Sequence, residues 1–245
     1  MKMLAFASRN TKEILRDPIN LFFGIAFPIV IMLLLSAIQA NIPVEIFEID
    51  TLAPGIAVFG LSFISLFSGT LIAKDRSTSF LVRLFSSPLK ASDFILGYTL
   101  PLIIMAIIQS LICFIAASFL GLTININTLV AIITLIPTII LYIGIGLLSG
   151  SLFTDKQVGG ICGALLTNLT AWLSGTWFDL KLVGGAFKTI SYLLPFVYAV
   201  NATRAAISGD YSKIMQELWV VILYAIIIFS LAIFVFNKKM KSDNM

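Results

Sequence analysis

Histidine is missing from all 245 residues, and only two cysteines occur. The ligand sets that hold zinc, haem or iron–sulfur clusters therefore lack donors. Cys113 and Cys162 both sit inside apolar runs, where a thiol packs as a small hydrophobe. Charge is scarce too: Asp, Glu, Lys and Arg make up 11% of the chain, against roughly a quarter in ordinary soluble domains. The sequence contains no G-x-x-x-x-G-K-S/T phosphate loop and so no ATP cradle of that type. It also lacks any His, paired acid or Ser–Lys dyad within its apolar runs, which removes the groups an intramembrane enzyme would use.

Hydrophobic residues fill the space that charge leaves, at 59% of the chain and a mean hydropathy of +1.06. They gather in six runs, residues 18–40, 52–73, 94–120, 128–150, 158–178 and 218–236, none of which holds a charged residue. About 20 helical residues at roughly 1.5 Å rise cross a hydrocarbon core of about 30 Å. The sequence therefore predicts an all-α, polytopic membrane protein of one domain with six transmembrane helices. The first run is too long for a signal-peptide core and is expected to stay as an anchor. Uncharged spans also disfavour an ion-coupled carrier or a stand-alone channel, as does the lack of a visible inverted repeat.

Basic residues set the expected orientation. Lys2, Arg9, Lys12 and Arg16 precede the first run; Lys74, Arg76, Arg83 and Lys90 lie between the second and third; Lys156 follows the fourth; Lys238, Lys239 and Lys241 follow the sixth. The connections 41–51 and 121–127 have no Lys or Arg. The positive-inside rule then places both termini in the cytoplasm, 74–93 as a cytoplasmic loop and 179–217 as an extracytoplasmic one. The net charge of +4 comes from these flanks and points to anionic lipid headgroups, with no indication of nucleic acid. Residues 1–17 read as an amphipathic interfacial helix that Pro18 separates from the first span. Apolar clusters in 182–206 predict short re-entrant helices before the sixth span. Arg204 there either caps or pairs with an acid such as Asp179 or Asp210, or is simply solvated.

The loop 74–90 spaces Phe80, Leu81, Leu84 and Phe85 as one face of a short helix ending at Pro88. That face fits either a second protein or the headgroup layer. Small or hydroxyl residues recur on one face of the second run, at Gly55, Ser62, Ser65 and Gly69, and of the fifth, at Gly160, Gly163, Ala164, Thr167, Asn168, Ala171 and Ser174. Such stripes serve either close helix packing or the lining of a cavity. Gly146 and Gly150 in the fourth run carry the same packing signature, and Gln109 in the third is expected to bond to a neighbouring helix. Trp172, Trp177 and Phe178 fit an outer aromatic belt or an exit gate. Pro28, Pro101 and Pro137 should kink their helices.

Several of these pieces, in order, resemble the permease subunit of the ABC type-two exporter family, the daunorubicin-resistance-type and multidrug permeases among them. Arg16-Asp17-Pro18 is similar to the end of that family's elbow helix, and Pro54-Gly55 to the start of its second span. Asp75-Arg76 through Arg83-Leu84 and Ser87-Pro88-Leu89 resembles its coupling loop, although Ser77, Ser79 and Phe80 stand where the family commonly has Glu and Gly-Thr. Ser174 to Phe178 resembles the end of its fifth span, and Pro195 to Tyr198 with Asn201 and Arg204 the segment before its sixth. The resemblance implies an ATP-driven exporter of hydrophobic or amphipathic compounds in a bacterial plasma membrane. A separate cytoplasmic ATPase would hold the ATP and Mg, this chain binding no cofactor itself, and a second permease copy would complete a homodimer or related heterodimer. It further implies that Arg16, Asp75, Arg76, Phe80, Arg83 and Leu84 couple to the ATPase. Ser62, Ser65, Gly69, Thr167, Asn168 and Ala171 would line the path, with Trp177, Phe178 and Arg204 as the outer gate.

Overall fold

The computed structural model describes residues 2–78 and 91–242. Among them the chain is all-helical, without a strand. Helix α1 spans Lys2–Leu15. Pro18 opens α2, Pro18–Asn41, and Asp17 caps it by accepting from the Asn20 N–H at 3.1 Å. Then come α3 (Ile49–Ser77), α4 (Ala91–Ser118), α5 (Ile126–Leu152) and α6 (155–173). Three short helices, α7 (Leu180–Val183), α8 (Gly185–Leu193) and α9 (Pro195–Ser208), precede α10 (Tyr211–Ser242).

Five helices, α2, α3, α4, α5 and α10, are long and apolar enough to cross a membrane. The fifth apolar run, expected to span over 158–178, is not among them. It folds as α6, whose turns over Gly159–Leu166 are π-helical and which stops at Leu173. Three glycines within the π stretch weaken the regular α ladder, and Gly175, at φ +72°, turns the chain out of the helix. A second π stretch, Phe22–Ala26, lies just before Pro28, whose missing N–H cannot continue the ladder. Pro137 likewise follows a break at Leu135, whereas Pro101 lies inside unbroken α4.

The bundle is built around α3. Its most apolar window is 89% buried, against 28% for α2 and 22% for α10, so α3 is the axis and the other two are the rim. Helix α5 packs along it, α10 packs along α5, and α9 lies against α10, the start of α5 and α3. The α3–α5 seam is tight: a Cβ on Gly146 would run into the Ser65 carbonyl, and one on Gly150 into the Gly69 carbonyl. The Ser68 hydroxyl donates across the same seam to the Ile143 carbonyl at 3.2 Å.

Candidate functional site

Three regions of this bundle concentrate polar or aromatic chemistry: the basic end, a cleft at membrane level and a cleft at the opposite end.

At the basic end, α1 is clamped to α3 and α4. The Arg9 guanidinium forks onto Asp75, Nη1 to Oδ2 at 2.7 Å and Nη2 to Oδ1 at 2.8 Å, and also pairs with Glu13. The Tyr98 hydroxyl donates to the same carboxylate at 2.8 Å. Burial alone would lower Arg9, but the bond and charge of Asp75 outweigh it, leaving Arg9 above an ordinary guanidinium. The Asn10 amide donates to the Gly97 carbonyl at 2.9 Å, and Phe6 stands edge-on to Tyr98 at 4.9 Å. Lys74 approaches Asp17 at 3.7 Å, and Arg76 donates to the Gly150 carbonyl at 2.8 Å, tying the end of α3 to the end of α5.

Two of the expected coupling residues are thus engaged within the chain. Asp75, 2% exposed, offers no surface to another protein, and Arg76 is half-buried against α5. Arg16 stands exposed at the end of α1. Phe80, Arg83 and Leu84 lie outside the described residues. Sequence reasoning missed Arg9 and Tyr98, which lie 66 and 23 positions from Asp75. The amphipathic pattern of α1 flagged Arg9 as polar, but no local signal assigned it a partner.

At membrane level, α2, α3 and α6 leave between them a cleft of about 410 Å³. Thr167, Asn168 and Ala171 on α6 line it. The α3 wall is different. Ser62, Ser65 and Gly69 are turned into the interior: Ser62 and Ser65 are fully buried with hydroxyls bonded to the Phe59 and Ser62 carbonyls, and a Cβ on Gly69 would meet Val158 at 2.6 Å. These three pack and do not line the cleft, because close approach to α5 and α6 requires small side chains there. Phe59 and Phe63, one turn apart on α3, form the cleft wall instead and meet Phe23 and Phe27 of α2. Gln109 also departs from expectation, since it is buried against Gly60 with neither amide atom bonded to a described group.

At the end opposite the basic one, the 42–51 connection, the turn after α6 and α9 enclose a second cleft of about 760 Å³. Arg204 sits in its wall. Nε donates to the Thr51 carbonyl and Nη2 to the Gly175 carbonyl, each at 3.0 Å. Burial draws its pKa down to about 10, with the charge of Asp179 opposing. Arg204 therefore serves backbone carbonyls, while Asp210 takes Lys213 as its cation at 2.6 Å. Phe178 lines this cleft and tilts onto Phe187 of α8. Trp177 borders both clefts and stands edge-on to Phe59 at 5.8 Å, so it is the partition between them.

The family model of the ABC-2 type transporter matches residues 1–208, which takes in every element just described except α10. The chain belongs to this family. A protein of Porphyra purpurea described as "Putative transport permease ycf38" is 29% identical over 212 residues, covering 82% of this chain and 72% of its own. A protein of Pyropia yezoensis with the same description is 27% identical over 209 residues, with the same coverage. A multi-pass membrane bundle in a transport family is a membrane transport protein, and permeases of this family work with an ATPase partner.

Proposed function

We propose that this chain is the membrane-spanning subunit of an ATP-driven ABC exporter that moves a hydrophobic or amphipathic compound outward, powered by a separate cytoplasmic ATPase. The observation that carries this reading is the pair of clefts meeting at Trp177: an uncharged aromatic one at membrane level and a polar one beyond it. A compound leaving the bilayer interior for water meets surfaces in that order. In this reading α6 with its π stretch completes six crossings, and α7 to α9 form a re-entrant extracytoplasmic segment. Both termini lie in the cytoplasm, as the basic flanks direct, of a cell that the resemblance makes bacterial.

The basic end is then where the ATPase rests, on exposed Arg16 and on the loop that holds Phe80, Arg83 and Leu84. Asp75 and Arg76 act from behind that surface. Because Asp75 is gripped by α1 and α4 at once, a push on the loop moves three helices as one body. At the other end Arg204 holds Gly175 and so sets the turn that presents Trp177 and Phe178 as the outer gate. A second permease copy completes the path by facing the open side of the cleft.

Reconstitution tests this reading. With its cognate ATPase in liposomes, the chain is expected to move an amphipathic dye only when ATP is supplied, and Trp177→Ala should leak dye without ATP. Rapid flux through the chain alone would instead favour a channel or secondary carrier and end the exporter assignment.

A further inference from the structure

We propose that the larger cleft, at the end opposite the basic one, binds anionic amphiphiles, seating their phosphate or carboxylate oxygens on the Arg204 guanidinium and their apolar part on the wall beside it. The site stands apart from the export reading, since its occupant can be a lipid of the surrounding leaflet as well as a transported compound.

Arg204 has donors to spare. Of its five N–H hydrogens, Nε gives one to the Thr51 carbonyl and Nη2 gives one to the Gly175 carbonyl. The other three, both of those on Nη1 among them, bond to no described group. They remain within reach: the buried side-chain atoms without a partner include Arg76 Nε and Trp177 Nε1 but no atom of Arg204. Arg204 lines both the larger cleft and a second one of about 420 Å³ beside it. Its two accepting carbonyls are neutral, and among the described residues no carboxylate forms an ion pair with it. The charge is thus desolvated without being neutralised, and burial, opposed by Asp179, draws its pKa down to about 10, so it stays charged at neutral pH. An oxyanion set on that fork supplies the counter-charge that the carbonyls leave out.

Depth decides the sign. Glu45, Asp179, Lys181 and Arg204 are the charged residues lining the larger cleft. The first three are exposed, where water and salt largely screen them, and Asp179 already accepts from the Lys181 N–H at 2.8 Å. Arg204 alone is drawn into the protein, where a lower dielectric strengthens its pull. The smaller cleft sets Asp50, Asp210 and Glu217 against Lys213, which directs an anion to the larger one.

The rest of the larger cleft is suited to an apolar group. Trp177, Phe178, Leu180, Leu182 and Val197 line it, Leu182 standing 85% exposed. At about 760 Å³ it has small-molecule size. An inorganic anion would leave this wall wet, and a neutral amphiphile would leave Arg204 unpaired.

The chain has three tryptophans, and Trp172→Phe with Trp219→Phe leaves Trp177, on this cleft, as the reporter. In neutral detergent, dihexanoyl phosphatidic acid should shift its fluorescence saturably and bind at least about ten-fold tighter than dihexanoylglycerol, the margin of one charge-assisted bond. Inorganic phosphate should bind more weakly than the phosphatidic acid; equal binding would overturn the amphiphile. Arg204→Gln should erase the preference for phosphatidic acid. Because that variant also releases Gly175, two exposed positions give an independent check: Lys181→Gln should weaken phosphatidic acid about two-fold and Glu45→Gln strengthen it about as much, neither changing dihexanoylglycerol. Equal affinity for the two amphiphiles, or a preference that all three variants leave unchanged, overturns the proposal. In phosphatidylcholine nanodiscs, suppression of binding by added long-chain phosphatidic acid assigns the site to a leaflet lipid, and undiminished binding assigns it to an amphiphile arriving from water. Phosphatidic acid bound by a chain that shows no ATP-driven export would keep this site and remove the export reading. Export without any such binding would do the reverse.

Discussion

Ser62, Ser65 and Gly69 on α3 and Gly160, Ala164 and Asn168 on α6 look alike in sequence: small or weakly polar residues recurring on one helical face. In the folded chain their uses are opposite. The α3 stripe is pressed against α5 so closely that backbone meets backbone, whereas the α6 residues are exposed and a Cβ on Gly160 would touch no described residue within 4 Å. The difference lies in what stands across from each stripe. Helix α5 offers Gly146 and Gly150 to the first, two small surfaces that let the axes approach. Of the second, Asn168 lines the cleft rimmed by bulky rings, while Gly160 and Ala164 stand exposed outside it. A stripe of small residues therefore marks where something comes close, and the neighbour decides whether that is a helix or a guest.

Substituting across the seam gives the largest expected effect. Gly146→Leu has to place a side chain where the Ser65 carbonyl and the Ser68 Cβ already lie. Since one of these neighbours is backbone, the helices must separate, at about 3 kcal/mol or more. In a thermal series followed by gel filtration of the detergent-solubilised protein, that corresponds to a midpoint lower by roughly 10 °C. An unshifted midpoint would mean that the α3–α5 seam is looser than its geometry.

The clamp at the basic end comes next. Arg9→Ala leaves the Asp75 side chain, only 3% exposed, charged with Tyr98 as its remaining partner. Removing one partner of a buried pair costs about 3–5 kcal/mol, and the 34% exposure of Arg9 brings the expectation to the lower end of that range. Adding Asp75→Asn should recover more than half of the loss, because the uncompensated charge disappears. If the double variant is as unstable as Arg9→Ala alone, the packing of α1 through Phe6 and Asn10, and not the ion pair, holds this end together.

How much of this was legible in the sequence depends on the range of the interaction. Six uncharged runs were read as spans, because a charge inside any of them would be expensive wherever the neighbours stood, and five of them fold as helices long and apolar enough to cross. Pro18 located the start of α2 because a proline's effect on the chain is settled within one turn. The face stripes were legible as periodicity, but which stripe packs is decided by Gly146 and Gly150, more than 75 positions from Ser65 and Gly69, so Ser62, Ser65 and Gly69 were placed in the path and Phe59 and Phe63 overlooked. The π turns of α6 escaped because its glycines were read only as small packing or lining residues, and Arg204 because two backbone carbonyls leave no trace in side-chain spacing.

Arg204→Lys sharpens the comparison at the opposite end and should have a smaller effect. A guanidinium reaches Thr51 and Gly175 together, while a single ammonium at the end of a flexible chain serves one well. Losing one charge-assisted bond costs about 1.5–3 kcal/mol. The readout that separates a strut from a merely stabilising residue is Trp177. Freed from the Gly175 anchor it should redden in fluorescence and become quenchable by acrylamide, in a Trp172→Phe, Trp219→Phe background where it alone reports. A stability loss with Trp177 unchanged would assign Arg204 to the core of α9 and remove it from the gate.

Gly160→Ala has the smallest expected effect and tests the comparison from its other side. The added methyl meets open space, and alanine is favoured over glycine in a helix by about 1 kcal/mol. The thermal midpoint should therefore stay put or rise by a few degrees, while Gly146→Ala, with the same change in chemistry, lowers it. A fall at Gly160 comparable to that at Gly146 would show that the α6 face is covered after all. The cover would then have to come from outside the described residues, and the mass of the solubilised particle by light scattering would test for a second chain: a doubling in the wild type that is lost in Gly160→Ala assigns the face to a second copy.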